Sequence, residues 1–202
     1  KDWHEDVLQT IGEILALTLQ NLRLHDQLEK QALLDPLTGI SNRLALVSQL
    51  EKEVLRARRD DEDLGLLFAD LDGFKGINDQ LGHLVGDELL QEISAMLKGF
   101  FRESDHVCRY GGDEFVILMP GTGLADIECK GRELLEQFRQ VQFLGGRARE
   151  VSDLSLSVGV TVLRDGLSGE DLLAEADTAL YRAKREGRDR LVVVEQDEGT
   201  EN

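Results

Sequence analysis

Apolar positions recur along this chain with two different periods. Between about Glu5 and Ala32, Val7, Leu8, Ile11, Ile14, Leu15, Leu19, Leu22 and Leu28 recur at spacings of three and four, with charges gathering toward the end. This predicts one long amphipathic helix, stopped by Pro36 and Gly39. A lone helix of this kind leaves its apolar stripe in water, so it is expected to pair with its copy in a second chain. The stripe is broader than a strict heptad seam, which leaves packing back onto its own domain as the other reading. From about Leu33 the pattern changes. Leu64–Ala69, a nearly all-apolar run ending in Asp70, predicts a buried central strand. Val107–Tyr110 and Phe115–Met119 predict two short strands joined as a hairpin across Gly-Gly-Asp-Glu. Leu154, Leu156, Val158, Val160 and Val162 alternate with small or polar residues, the mark of a strand with one buried face. Helices are predicted from Ser41, as N-cap, to the basic segment Arg56–Arg59; over Asp87–Phe101; over Asp126–Val141; and from Ser168 until Gly187 ends it. Leu191–Val194 closes the sheet.

In order, these elements read β-α-β-β-α-β, an α/β (α+β) chain with a ferredoxin-like core and added elements. The expected organisation is a signalling or coiled-coil helix at 1–32, a globular domain at 33–195 and a polar tail at 196–202. The chain begins at Lys1 rather than Met, which reads as a piece of a longer protein. No apolar run approaches the ~20 residues that span a bilayer, so no membrane contact is expected from this segment. A cytoplasmic location is expected, with any membrane attachment lying in missing segments. Forty acidic against 23 basic residues give a net charge of −17, which repels nucleic acid and anionic lipid and argues against a polynucleotide substrate. A small polyphosphate remains possible where a few cations and a divalent metal concentrate. Cys108 and Cys129 have neither pairing nor metal-ligand spacing and read as reduced core thiols.

The chemistry gathers at two strand ends. Asp70 closes a hydrophobic strand, and in this topology that strand lies beside the hairpin, so Asp70 can face Asp113 and Glu114. Clustered carboxylates repel one another unless a cation sits between them. Mg²⁺ suits such a site, since it takes a few carboxylates and completes its shell with water and substrate phosphates. Taken alone, the same acids would serve equally well as solvated strand-end and turn residues. Gly111 and Gly112 are expected to supply the backbone freedom of a tight turn and to leave room for a ligand.

Gly111-Gly112-Asp113-Glu114-Phe115, preceded by Arg109-Tyr110, resembles the signature of the GGDEF family of diguanylate cyclases. The resemblance continues in order from about Leu33 to Val194. Asp35-Pro36-Leu37-Thr38-Gly39 with Asn42-Arg43 looks like the family's opening motif. Asp70-Leu71-Asp72-Gly73-Phe74-Lys75-Gly76-Ile77-Asn78-Asp79 looks like its metal and nucleotide segment, followed by Gly82-His83-Leu84-Val85-Gly86-Asp87. Ser155-Leu156-Ser157-Val158-Gly159-Val160 and Ala179-Leu180-Tyr181-Arg182-Ala183-Lys184-Arg185-Glu186-Gly187-Arg188 complete the series.

The resemblance implies a fold like the palm of nucleotidyl cyclases, and a homodimer that condenses two GTP into cyclic di-GMP with release of pyrophosphate. It assigns Asp70, Asp113 and the backbone carbonyl of Leu71 to Mg²⁺ or Mn²⁺, two ions per site, with Glu114 as further metal ligand or base. It assigns Asn78 and Asp87 to guanine; Gly73, Phe74, Lys75, Gly111 and Gly112 to the nucleotide; and Lys184 and Arg188 to the β- and γ-phosphates. An Asp carboxylate accepts from both N1–H and the exocyclic amine of guanine, which adenine does not offer. Arg102-Glu103-Ser104-Asp105 resembles the family's inhibitory site for cyclic di-GMP, the product. Arg109 reaches the same ligand or else braces the hairpin. The leading helix resembles the last helix of a GAF-type sensor domain. A GGDEF domain that only binds GTP or cyclic di-GMP is the alternative function. Gly73 and Gly76, where larger residues are frequent, and Asp189, where Asn is common, depart from the pattern.

Overall fold

The computed structural model describes residues 11–12, 15–20 and 33–194. The chain divides into two compact units, 1–34 and 35–202. In the first, residues 11–12 and 15–20 are helical, with Ile11, Leu15, Leu17 and Leu19 exposed. The remainder of the helix expected over 5–32, and the polar tail, lie outside the described residues.

The second unit is built on a six-stranded sheet. Its strands are β1 (Ser41–Asn42), β2 (Leu64–Asp72), β3 (His106–Gly111), β4 (Glu114–Pro120), β5 (Ser155–Val162) and β6 (Leu191–Val193), in the spatial order β1-β3-β4-β2-β5-β6. The helices are α1 (Arg43–Asp60), α2 (Phe74–Leu81), α3 (His83–Phe100), α4 (Leu124–Gln140), the short α5 (Arg147–Val151) and α6 (Gly169–Arg185). β2 runs antiparallel to both β4 and β5, so the central four strands have the expected ferredoxin-like order, with parallel β1 and β6 added at the edges.

All nine residues of β2 are buried because helices cover both faces of the sheet. Leu67, Ala69 and Leu71 pack into the cluster with Ile77, Leu89, Ile93, Leu134 and Phe138. Leu64, Leu66 and Phe68 pack with Leu46, Leu50, Leu172 and Leu180. The same covering corrects the expectation of one buried face for β5: Ser157 and Thr161 are as buried as Val158 and Val160. Its small residues are there for contact. A Cβ at Gly159 would lie 2.2 Å from the Ala176 carbonyl oxygen and 2.3 Å from the Leu180 nitrogen, so α6 rests directly on the strand.

Several local expectations change with packing. The cap of α1 is Asn42, whose side chain accepts from the Ala45 N–H, whereas Ser41 joins Asn42 in parallel pairing with Cys108 and Arg109. α3 begins at His83, earlier than Asp87. α2 was not anticipated at all: its first residue follows Gly73, at φ 80°, with no side-chain cap, and Ile77 alone is fully buried along it. Tertiary contacts hold it, including Gln80 Nε2 donating to the Val151 carbonyl at 2.5 Å. α6 keeps its expected start, a reciprocal capping box between Ser168 and Asp171. Cys108 is a core thiol, its pKa pushed up to about 12 by burial. Cys129 is not: α4 turns Ile127, Gly131, Leu134 and Phe138 inward and leaves Cys129 exposed.

Candidate active site

Strand parity assembles one half of the site. Asp70 and Asp72 continue the face of β2 that carries Leu66 and Phe68, and Glu114 begins the matching face of β4 ahead of Val116 and Leu118. Asp70 stands directly opposite Glu114 on one side and opposite Ser157 on the other. The helix across that face, α6, brings Lys184 Nζ to 2.7 Å from Asp70 Oδ2. Burial raises the Asp70 pKa, opposed by the hydrogen bond and charge of Lys184; burial and then the Asp70 charge raise that of Glu114.

The hairpin turn is docked from two directions. The Leu71 N–H donates to the Asp113 carbonyl at 3.2 Å, and Arg109 donates from Nε and Nη2 to the Gly112 carbonyl at 3.0 and 2.8 Å. Arg109 Nη1 also donates to Asp35 Oδ1 at 3.0 Å, an oxygen that accepts from the Thr38 N–H and hydroxyl as well. Burial alone would raise the Asp35 pKa, but the Thr38 and Arg109 hydrogen bonds outweigh it and hold the carboxyl below its usual range. Arg109 thus braces the hairpin against the opening turn. One half of the expectation for the glycines changes: neither Gly111 nor Gly112 has a positive φ. What matters is room. A Cβ on Gly111 would come within 2.8 Å of Glu114 Oε2, and one on Gly112 would face open space.

The second half lies on α2 and α3. Asn78 nests against Gly86 so closely that a Cβ there would lie 2.0 Å from Asn78 Oδ1, and Asp87 follows at the next position. Gly73, at φ 80°, turns the chain from β2 into α2, and its carbonyl accepts from Ser152 Oγ at 2.8 Å. That hydroxyl lies 2.5 Å from where a Gly73 Cβ would stand and 3.2 Å from a Gly76 Cβ, so the two glycine departures make room for the loop that braces this turn. Lys75, Asp87 and Arg188 are exposed, which makes this half an open shelf. A cleft of about 630 Å³ opens between α1 and α6, touching the site only at Glu114 and lined also by Phe68, Tyr110 and Asp177.

Asp72 received no role from the sequence. It is buried, and its Oδ2 accepts from Ser155 Oγ at 3.0 Å and Ser157 Oγ at 2.8 Å, while Oδ1 lies 3.5 Å from Arg188 Nε. The two serines opposite it in alternate positions of the next strand were the available signal. On the far side, Asp105 is buried and closes its own loop, accepting from the Arg102 N–H at 2.9 Å, and Arg102 is exposed.

Among the described residues, no three His, Cys, Asp or Glu side chains converge on one point that would hold a metal ion. The donor set still fits Mg²⁺ or Mn²⁺: Asp70 and Glu114 face each other in register, Asp113 is on the adjoining turn, and all offer hard oxygens. Mg²⁺ asks for only one or two carboxylates when a substrate phosphate supplies the rest.

A family model for the diguanylate cyclase GGDEF domain matches residues 32–190. The chain belongs to that family. This GGDEF domain is 46% identical over 176 residues to the diguanylate cyclase DgcP of Pseudomonas aeruginosa, an alignment covering 84% of this chain and 25% of that protein. It is 38% identical over 162 residues to the response regulator PleD of Caulobacter vibrioides, covering 80% of this chain and 36% of that one. The chain therefore spans about a quarter to a third of the length of these relatives. Among solved structures it is similar to the coiled coil and GGDEF domain of DgcB from Caulobacter crescentus in complex with c-di-GMP. There the TM-score is 0.79 at 26% identity, covering 92% of this chain and 98% of that one. It is also similar to diguanylate cyclase SiaD in complex with its activator SiaC from Pseudomonas aeruginosa, with TM-score 0.73 at 33% identity, covering 95% of this chain and 74% of that one.

Proposed function

We propose that this GGDEF domain condenses two GTP into cyclic di-GMP and pyrophosphate as a homodimer, each subunit presenting one GTP to the other. The observation that carries the reading is the pairing of Asp70 with Glu114 across β2 and β4 under Lys184, 2.7 Å from Asp70. Asn78 and Asp87 bind the guanine edge. The backbone from Gly73 to Lys75, with Lys184 and Arg188, takes the triphosphate, and Gly111 and Gly112 leave space beside it. Lys184 offsets part of the carboxylate charge at Asp70 before substrate arrives. Asp70, Asp113, Glu114 and the Leu71 carbonyl would hold two Mg²⁺ or Mn²⁺ ions, whose charge would activate a sugar hydroxyl and neutralise a leaving pyrophosphate. Glu114, facing Asp70 in register, serves as further metal ligand or as the base for the 3′-hydroxyl. The open shelf supports the dimer, because a second domain laid over it excludes water and aligns the two nucleotides.

The test is incubation of the verified dimer with GTP and Mg²⁺, followed by assay of cyclic di-GMP and pyrophosphate. Absence of product alongside tight dinucleotide binding would sink the enzyme reading in favour of a binding module. Guanine recognition has its own check in Gly86→Ala. The new methyl would lie 2.0 Å from Asn78 Oδ1, 3.0 Å from its Cγ and 3.4 Å from Phe74 Cζ. The Asn78 amide must then swing away while no backbone is struck, and alanine suits the helix. GTP affinity falls about tenfold, the value of one or two lost hydrogen bonds, without loss of melting temperature. Unchanged affinity would remove Asn78 from the guanine site.

Product inhibition is assigned to Arg102 and Asp105. Arg102 supplies an exposed planar donor fork for a guanine edge or phosphate, and the fold of its loop depends on the Asp105 carboxylate. Arg109 acts there only indirectly, through the hairpin it braces. Arg102→Ala relieves inhibition by added cyclic di-GMP while initial rates stay near wild type; an unaltered inhibition curve counts against the site.

A further inference from the structure

Beyond α6 the chain passes through successive residues of positive φ: Gly187 at 118°, Arg188 at 61° and Asp189 at 46°. Glycine accepts this freely, but Arg and Asp do so only when neighbouring contacts impose it. The contact at Asp189 comes from Arg139 in the last turn of α4. Arg139 Nε donates to Asp189 Oδ1 at 3.1 Å and Oδ2 at 3.0 Å, and Nη2 donates to the Asp189 carbonyl at 2.9 Å. One guanidinium thus grips both the side chain and the backbone of one residue. The end of α4 is itself fastened by Arg149, which donates to the carbonyls of Phe138, at 2.8 Å, and of Arg139.

Arg188 is held from the other side. Its N–H donates to the Ala183 carbonyl at 3.0 Å, and its Nε lies 3.5 Å from Asp72 Oδ1, a buried oxygen with no hydrogen-bond partner among the described residues. The Asp189 N–H approaches the other Asp72 oxygen at 3.4 Å. Arg188 therefore stands between a carboxylate fixed in β2 and a following residue clamped to α4.

We propose that Arg139 and Asp189 are positioning residues for triphosphate binding: their clamp sets the left-handed turn that aims Arg188 at the β- and γ-phosphates. This rests on the GTP reading above. Both side chains are nearly half exposed, at 45% and 43%, so the pair adds little to stability. Its consequence is direction. A planar guanidinium holding the carboxylate and the carbonyl of Asp189 together fixes the backbone at Asp189, the residue into which Arg188 leads. The Asp189 N–H, on the Arg188 side, is met by Asp72 Oδ2. Asn in place of Asp189 would keep the left-handed turn but lose the charged half of the grip.

The test is equilibrium binding of a GTP analogue that resists cleavage between its α- and β-phosphates, with Mg²⁺, to the whole chain. Binding of guanosine monophosphate is measured in parallel by competition. Arg139→Ala and Asp189→Asn are expected to weaken the triphosphate about three- to tenfold, with Arg139→Lys intermediate. Guanosine monophosphate, lacking the β- and γ-phosphates, is expected to bind all variants as it binds wild type. In an Arg188→Ala background, Arg139→Ala should add nothing further. Equal losses for both nucleotides, additivity with Arg188→Ala, or undiminished triphosphate binding each overturn the clamp. Failure of the wild-type chain to bind the triphosphate instead overturns the GTP reading, so the two failures are told apart.

Discussion

Asp113→Ala or Glu114→Ala should reduce cyclic di-GMP synthesis by at least about 10²–10³-fold, the usual effect of removing one group that stabilises charge in a transition state. Both losses should come without unfolding. The Asp113 contribution to the hairpin is its carbonyl, which accepts from the Leu71 N–H, and alanine keeps that bond. The Glu114 carboxylate sits in the space left by Gly111, and Glu114 is only partly buried. Its removal also ends the like-charge contact between Glu114 and Asp70, which face each other in register. Rates of product formation and thermal melts on the same preparations decide the matter. Turnover within tenfold of wild type would show that the hairpin carboxylates are bystanders, and a collapsed melt would show that they are structural.

Gly159→Ala should have the largest effect on stability. Its Cβ would meet the Ala176 carbonyl oxygen at 2.2 Å, the Leu180 nitrogen at 2.3 Å and the Ala179 carbonyl carbon at 2.9 Å, all of them backbone. No rotamer change relieves such contacts, so α6 must move off β5. Overpacking of this kind costs about 3 kcal/mol or more. For a chain of this size that lowers the melting temperature by roughly 6–12 °C. Because α6 carries Lys184, the contact with Asp70 is disturbed as well, and activity should fall at temperatures where the variant is still folded. Gly99→Ala is the control: Gly99 lies in the last turn of α3 without a positive φ, no described residue comes within 4 Å of its Cβ, and alanine there holds or raises the melting temperature. A melt for Gly159→Ala that matches this control would show that α6 does not rest on β5 as described.

The elements that could be read from the chain are those whose signal is local and redundant. β2 announces itself by continuous apolar character, and α6 by Ser168 with Asp171 at its start. α2 escaped because its signal is not local: Gly73 offers no side-chain cap, Gly76 interrupts it, and Ser152 and Val151 from a distant loop hold it in place. Ser41 and Asn42 are equally good caps on paper, and pairing with β3 chose between them. Cys129 shows the same limit, since membership of the core depends on which face of α4 turns inward.

The residue types at the site, and hence its chemistry, were set by the sequence alone. Carboxylates end β2 and start β4, cations end α6, and Asn78 and Asp87 flank the Gly82 break between α2 and α3. A strand's period of two already places Asp70 and Glu114 on definite faces, once the strands are known to be neighbours. Only the tertiary structure decided how those groups are held. Arg109 was shown to brace the hairpin, Asp72 to carry a network of serines and the Arg188 turn, and Arg139 to grip Asp189. The physical reason is distance along the chain. Arg139 and Asp189 are 50 residues apart, and Asp72 and Asp189 are 117 apart. Such contacts carry no periodicity and no spacing, and they exist only once the sheet has brought its strand ends together.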